Sequence, residues 1–319
     1  MWGGRQMKAG SITTARIVLA LIALSPVFWG TSQRVVADPI PTPIAQATAS
    51  AEAAGGPSSS DSDADPVTAT VNVTSSGDDF AEAMAEATVG DRVRSRSATS
   101  GASGQSVPSQ GAGTAGWISN LIATGTDPGT DIDIDLATVT DGLLDYLNNN
   151  SGASADDIRS SVSLTLTVYD EAGATTAFDG SAQLAAVTNS DPPELTRSGD
   201  WAAPGRDGDF STAGCSAFSC AYNVNLSDTF EDVTYVGFQR PFAIEFELAT
   251  TAYTFAGFEV EAIADFFNTG SVVVATDTPG ITFQIVPEPT SLLLFAAEVV
   301  IWGVSSLQMH NPADPTKRH

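Results

Sequence analysis

Carboxylates are the one abundant chemistry-bearing group in this chain, and their company decides what they can do. Residues 38 to 287 hold 35 acids against 7 arginines, a balance of −28, with no lysine and no histidine. Both histidines, His310 and His319, come after that stretch. A nucleophilic serine or cysteine system uses an imidazole base, so triad chemistry finds no base here. Schiff-base chemistry lacks its lysine. Zinc prefers His and Cys ligands, which are equally scarce. A glycosidase needs only two carboxylates and stays chemically open. So large a negative charge repels nucleic acid, which excludes a DNA- or RNA-binding role.

The acids fall in a few groups. Asp131-Ile132-Asp133-Ile134-Asp135 sets three at alternate positions. On a strand they would share one face and suit calcium at extracellular levels; the competing reading is a solvated strand face. An EF-hand loop is excluded, since its sixth and twelfth positions counted from Asp131 hold Leu136 and Gly142. Asp61, Asp63 and Asp65 fail the same test, with Pro66 at the sixth position. Asp207 and Asp209 form a second group beside Gly205 and Gly208. Glu245 with Glu247, and Glu259 with Glu261, read as surface charge against edge pairing rather than as catalytic pairs. Cys215 and Cys220 enclose a short loop and, in an exported chain, predict a structural disulfide. Trp201 and Tyr222 flank that loop. They are the candidate stacking aromatics for a sugar, against a plainer reading as core or hairpin packing.

The elements that must position these groups are mostly strands. Val162, Leu164, Leu166 and Val168 alternate with polar residues, and Phe178 to Leu184 continues the pattern after the turn Asp170-Glu171-Ala172-Gly173. Ile244, Phe246 and Leu248 oppose Glu245 and Glu247, and Phe258, Val260 and Ala262 oppose Glu259 and Glu261. Residues 271–276 and 281–285 make the last strands. Ala81 to Ala87 is helical in composition but two-residue in period; a strand is favoured and a helix remains the alternative. Thr140 to Asn149 is the best helix candidate, through Leu143, Leu144 and Leu147. Ser97 to Ala115 reads as a long loop. Residues 38–66, rich in Pro, Ala, Ser, Thr and Asp, read as a disordered spacer. The expected fold is all-β: one antiparallel β-sandwich or jelly-roll-like domain over 67–285.

Both ends read as addresses. Arg5, Lys8 and Arg16 precede the apolar run Ile17 to Trp29, and Val35-Val36-Ala37 follows, a secretory signal peptide over 1–37 cut after Ala37. Residues 286–319 begin Val286-Pro287-Glu288-Pro289, continue with the apolar run Leu292 to Leu307, and end Lys317-Arg318-His319. This tail resembles the PEP-CTERM sorting signal of Gram-negative, exopolysaccharide-producing bacteria. The resemblance covers about a tenth of the chain. It implies a C-terminal hydrophobic helix that holds the chain transiently in the inner membrane through 292–307. It also implies recognition of Val286 to Pro289 by an exosortase-type membrane transpeptidase, followed by release to the cell surface or matrix beside exopolysaccharide. The expected role is structural or adhesive and non-enzymatic, with no cofactor except calcium if the Asp131 group binds it. A carbohydrate-binding module and a carboxylate-only glycosidase are the alternatives.

Overall fold

The computed structural model describes residues 40–286, except 78, 102–107, 149–157, 186–193, 217 and 256–259. Almost all are antiparallel β-strand, and no α-helix occurs among the described residues. The signal peptide with its Ala37 cut, the motif residues Pro287, Glu288 and Pro289, and the apolar run 292–307 lie outside the described residues. So do Phe258 and Glu259.

Two sheets form. The first runs β10 (Glu194–Gly199), β9 (Gly173–Ala185), β8 (Ile158–Asp170), β13 (Pro241–Thr254), β6 (Ser109–Gly125), β1 (Ile44–Glu52), β2 (Ser59–Asp65). β15 (Ile281–Ile285) pairs with the far end of β6. The second runs β11 (Phe210–Cys215), β12 (Ser219–Val236), β7 (Ile132–Asn148), β14 (Val260–Ala275), β5 (Arg92–Gly101), β4 (Phe80–Thr88), β3 (Thr68–Ser76). β1 lies against β3 and β4, β6 against β4 and β5, and β13 against β5 and β14, so the core sits between the sheets.

That core changes character along its length. At one end it is built of large rings: Phe178 and Trp201 lie 5.4 Å apart, Trp201 and Phe210 5.6 Å, and Trp117 and Phe246 6.1 Å, all edge to face. At the other it is built of small residues. Ala45, Ala47, Ala49 and Ala51 of β1 are buried, as are Ala81, Ala83, Ala85 and Ala87 of β4 and Ser95 and Ser97 of β5. Here the two backbones approach so closely that a Cβ on Gly111 would lie 2.4 Å from the Glu82 carbonyl oxygen. Hydroxyls stitch the same gap: Ser95 Oγ and Thr250 Oγ1 are 2.8 Å apart, and Ser97 Oγ donates to the Thr250 carbonyl at 3.1 Å.

The thin end explains two departures from the sequence reading. The expected spacer over 38–66 is instead β1 and β2, with β1 held between β6 and β2. β1 lacks large apolar groups because its neighbours leave no room for them, and its two-residue Ala period is the strand signal; β2 is an exposed edge of Ser and Asp. The expected loop over 97–115 is the end of β5 and the start of β6, and only 102–107 between them fall outside the described residues. A third departure is the helix candidate over 140–149, which is the end of β7. Leu144 and Tyr146 point inward at alternate positions, and both β12 and β14 pair with this stretch. Neighbours on both sides outweigh a short helical pattern.

The favoured strand over 81–87 is β4. Its outward acids meet the outward arginines of β5: Arg92 and Arg94 reach Glu86 at 2.9 and 3.6 Å, and Arg96 pairs with Glu82 and, at 3.3 Å, with Asp265. The edges are managed by acids too. Asp63 on β2 accepts from the Thr70 amide at 2.9 Å, and Asp65 accepts from the Val67 and Thr68 amides at 2.7 and 2.9 Å. These carboxylates occupy donors on β3, the outermost strand of the second sheet, that would otherwise invite another chain.

Candidate functional site

The structure regroups the acids. Asp133 and Asp135 on β7 come together with Asp232 of β12, their nearest oxygens all within 4.8 Å of one another, while Asp131 precedes β7 and lies outside the group. Asp133 clasps the turn between β14 and β15. It accepts from Thr276 Oγ1 at 3.1 Å, Thr278 Oγ1 at 2.7 Å and the Asp277 amide at 2.9 Å. Burial is the largest single influence and pushes its carboxyl up, but the donors together outweigh it and hold the group below the usual aspartate range. Asp135 accepts from the Asp232 amide at 2.8 Å, at a bulge in β12 where Asp232 takes a left-handed φ of 52°. Tyr235 Oη then donates to Asp232 at 2.9 Å. The group as placed anchors a turn and a bulge.

The other acids are likewise engaged. Arg197 pairs with Asp207, and Arg206 with Asp209 and Asp228. Tyr169 Oη donates to Glu245 at 2.5 Å on the outer face of the first sheet. Burial first, then this bond and the charges of Glu245 and Glu247, push the Tyr169 phenol far up. Glu247 is exposed, yet its surroundings and then the Glu245 charge raise its carboxyl. Cys215 and Cys220 sit opposite each other on β11 and β12 at disulfide distance, with Cα atoms 4.0 Å apart. Trp201 is fully buried among Phe178 and Phe210, and Tyr222 packs against the same core. Neither forms an exposed stacking platform, so the plainer reading holds for both.

A further surface feature is one that the strand pattern alone does not announce. Paired residues on antiparallel neighbours share a face. Across the outer face of the first sheet, one such row reads Ser62, Thr48, Thr114, Ala249, Ser163, Ser181, Ser198 from β2 to β10. The next row reads Ser60, Ser50, Ala112, Thr251, Ser161, Gln183, Thr196. Every strand of the sheet except β15 contributes, and neither row holds a charged residue. The rows to either side do: Glu247 and Asp179 on one, Arg159 and Glu194 on the other. Over β8, β9, β10 and β13 the two rows form a shallow groove of about 310 Å³. Within it Ser181 Oγ and Ser198 Oγ are 2.6 Å apart, and Ser161 bonds Thr251 across strands. The sequence signal was present as Ser and Thr at alternate strand positions; the register that aligns them joins strands far apart in the chain.

The chain ends of the described unit meet on one strand. Ile44, which opens β1, pairs with Ile118 of β6, and the Val286 amide donates to the Asn120 carbonyl of the same strand at 2.9 Å. Comparison with protein-family models, curated proteins and solved structures finds no match for this chain.

Proposed function

We propose that the chain is an exported surface or matrix protein with a structural or adhesive, non-enzymatic role. In this reading the two sheets are the halves of a single β-sandwich of jelly-roll type. A signal peptide ending at Ala37 sends it out, and a C-terminal hydrophobic helix over 292–307 holds it transiently in the inner membrane of a Gram-negative cell. The Val286-Pro287-Glu288-Pro289 block is its sorting motif, read by an exosortase-type transpeptidase, and exopolysaccharide is its surrounding.

One observation carries this reading. Ile44 and Val286, the two ends of the folded part, bond to positions two residues apart on β6. Two residues of strand span about 7 Å. This nearness of the two ends of the folded part supports a reading in which segments on either side of it are addressed to one membrane. The last described strand, β15, ends at Ile285, just before the motif that begins at Val286. We assign the Asp133 group to structure and no cofactor to the role.

The test is fractionation of the native host carrying Pro287→Ala with Pro289→Ala. The reading expects wild-type protein at the surface or in the matrix and the variant retained in the inner membrane. Equal release of both would overturn it.

A further inference from the structure

We propose that the groove over β8, β9, β10 and β13 binds a segment of a neutral polysaccharide. The inference rests on the exported-protein reading for its setting, and on the groove for its chemistry. The groove's volume, about 310 Å³, falls at the lower end of the range for ligand sites. Its side-chain polar groups are hydroxyls and the Gln183 amide, each able to donate and to accept, together with Arg197, whose guanidinium is taken up by Asp207 and the Phe210 ring. The bonds Ser161–Thr251 and Ser181–Ser198 fix the hydroxyls in place and use only part of that capacity. Strand neighbours repeat every 4.7–4.9 Å, so a chain lying across the strands meets a donor–acceptor pair at each step.

Charge selects the class of polymer. A region at −28 keeps two whole register rows free of charge where the groove lies; Glu247 and Asp179 stand on the row at one side, and Glu194 with Arg159 on the row at the other, three acids to one base. An acidic polysaccharide would meet repulsion there, and a neutral polyol would not. The twist of an eight-stranded sheet also argues against a flat crystalline surface such as ice as the occupant.

Affinity electrophoresis of the protein isolated from its host tests this, in gels holding dextran, laminarin or alginate. The neutral glucans are expected to retard it, to the same degree at low and high salt because no ion pairs are involved. Alginate is expected not to. Ser163→Asp and Ser181→Asp, on the half-buried floor, should weaken retardation about tenfold by placing unpaired charge against the sugar. Ser227→Asp, on the exposed outer face of β12, should leave it unchanged. Unaltered thermal melting separates lost binding from lost folding. Three results would each overturn the proposal: no retardation by either glucan, equal retardation of all variants, or shaping of ice crystals by the groove. A correctly trimmed tail with no glucan binding would sink this inference alone; glucan binding by a protein that keeps its tail would sink only the sorting reading.

Discussion

At the scale of single residues, the account turns on glycine and on carboxylates. Gly111 stands where a Cβ would meet the Glu82 carbonyl at 2.4 Å, whereas nothing lies within 4 Å of the equivalent position at Gly208. Backbone cannot step aside as a side chain can. Gly111→Ala is therefore expected to cost about 1–3 kcal/mol, and Gly208→Ala close to nothing, by thermal or urea melts. Equal effects would contradict the close approach of the sheets. The carboxylates split by sign. Glu261, Asp145 and Asp209 are raised first by burial, and Glu247, though its side chain reaches solvent, by partial desolvation among its neighbours and then by the Glu245 charge. Groups raised in the fold add stability below their unfolded values and lose it as pH rises through the folded ones. Asp65, through the Thr68 and Val67 amides, and Asp133 are lowered, so their contribution is full above the ordinary value of 3.8 and lost as pH falls below it. Melting temperature should thus climb as pH falls from 7 towards 4.5 and drop below 3.8. A steady decline across the whole range would contradict this assignment.

At the scale of elements, legibility followed side-chain size. β8, β13 and the start of β14 were plain in the sequence because large apolar residues alternate with polar ones. β1 was not, because Ala45 to Ala51 fills a gap that admits nothing larger, and small residues also compose spacers. The end of β7 was misread because Leu143, Leu144 and Leu147 also satisfy a helical spacing; only pairing with β12 and β14 decides it. Among the site residues, the cysteine pair was readable, whereas the edge-guarding role read for Glu245 and Glu247 was not borne out, because β13 lies inside the first sheet between β8 and β6 and Glu245 accepts from Tyr169. The partnership of Asp133 with Asp232 was not readable, since a bulge nearly a hundred residues away supplies the third acid. Two expectations belong to this scale. Asp63→Ala with Asp65→Ala uncovers the amides of β3, and size-exclusion chromatography should show concentration-dependent association of the variant. A variant that remains as monodisperse as the parent would remove edge protection as their role. Because Asp133 already accepts three hydrogen bonds, melting should be the same in EGTA and in millimolar calcium. A rise of several degrees with calcium would make the group a metal site.

At the scale of the whole molecule, two materials meet in one core. The aromatic end resembles the interior of any globular protein, while the Ala, Gly and Ser end brings two sheets together with little apolar area per residue. The stability of that end rests on backbone pairing, the Ser95, Ser97 and Thr250 hydroxyls, and acid-capped edges. The surplus of acid works against compactness at neutral pH. Added salt should therefore raise the melting temperature at pH 7 through screening, with the largest gain below about 0.15 M. The same charge, spread around an uncharged hydroxyl band, gives the first sheet a face of distinct chemistry.

The central claim is that this folded unit is cut free of both addresses outside the cytoplasm. Intact-mass spectrometry of the protein from its own host measures this directly. The account predicts a species beginning after Ala37, ending near Pro289, and lighter by the two hydrogens that the Cys215–Cys220 disulfide removes. A species that runs on through His319 would contradict it.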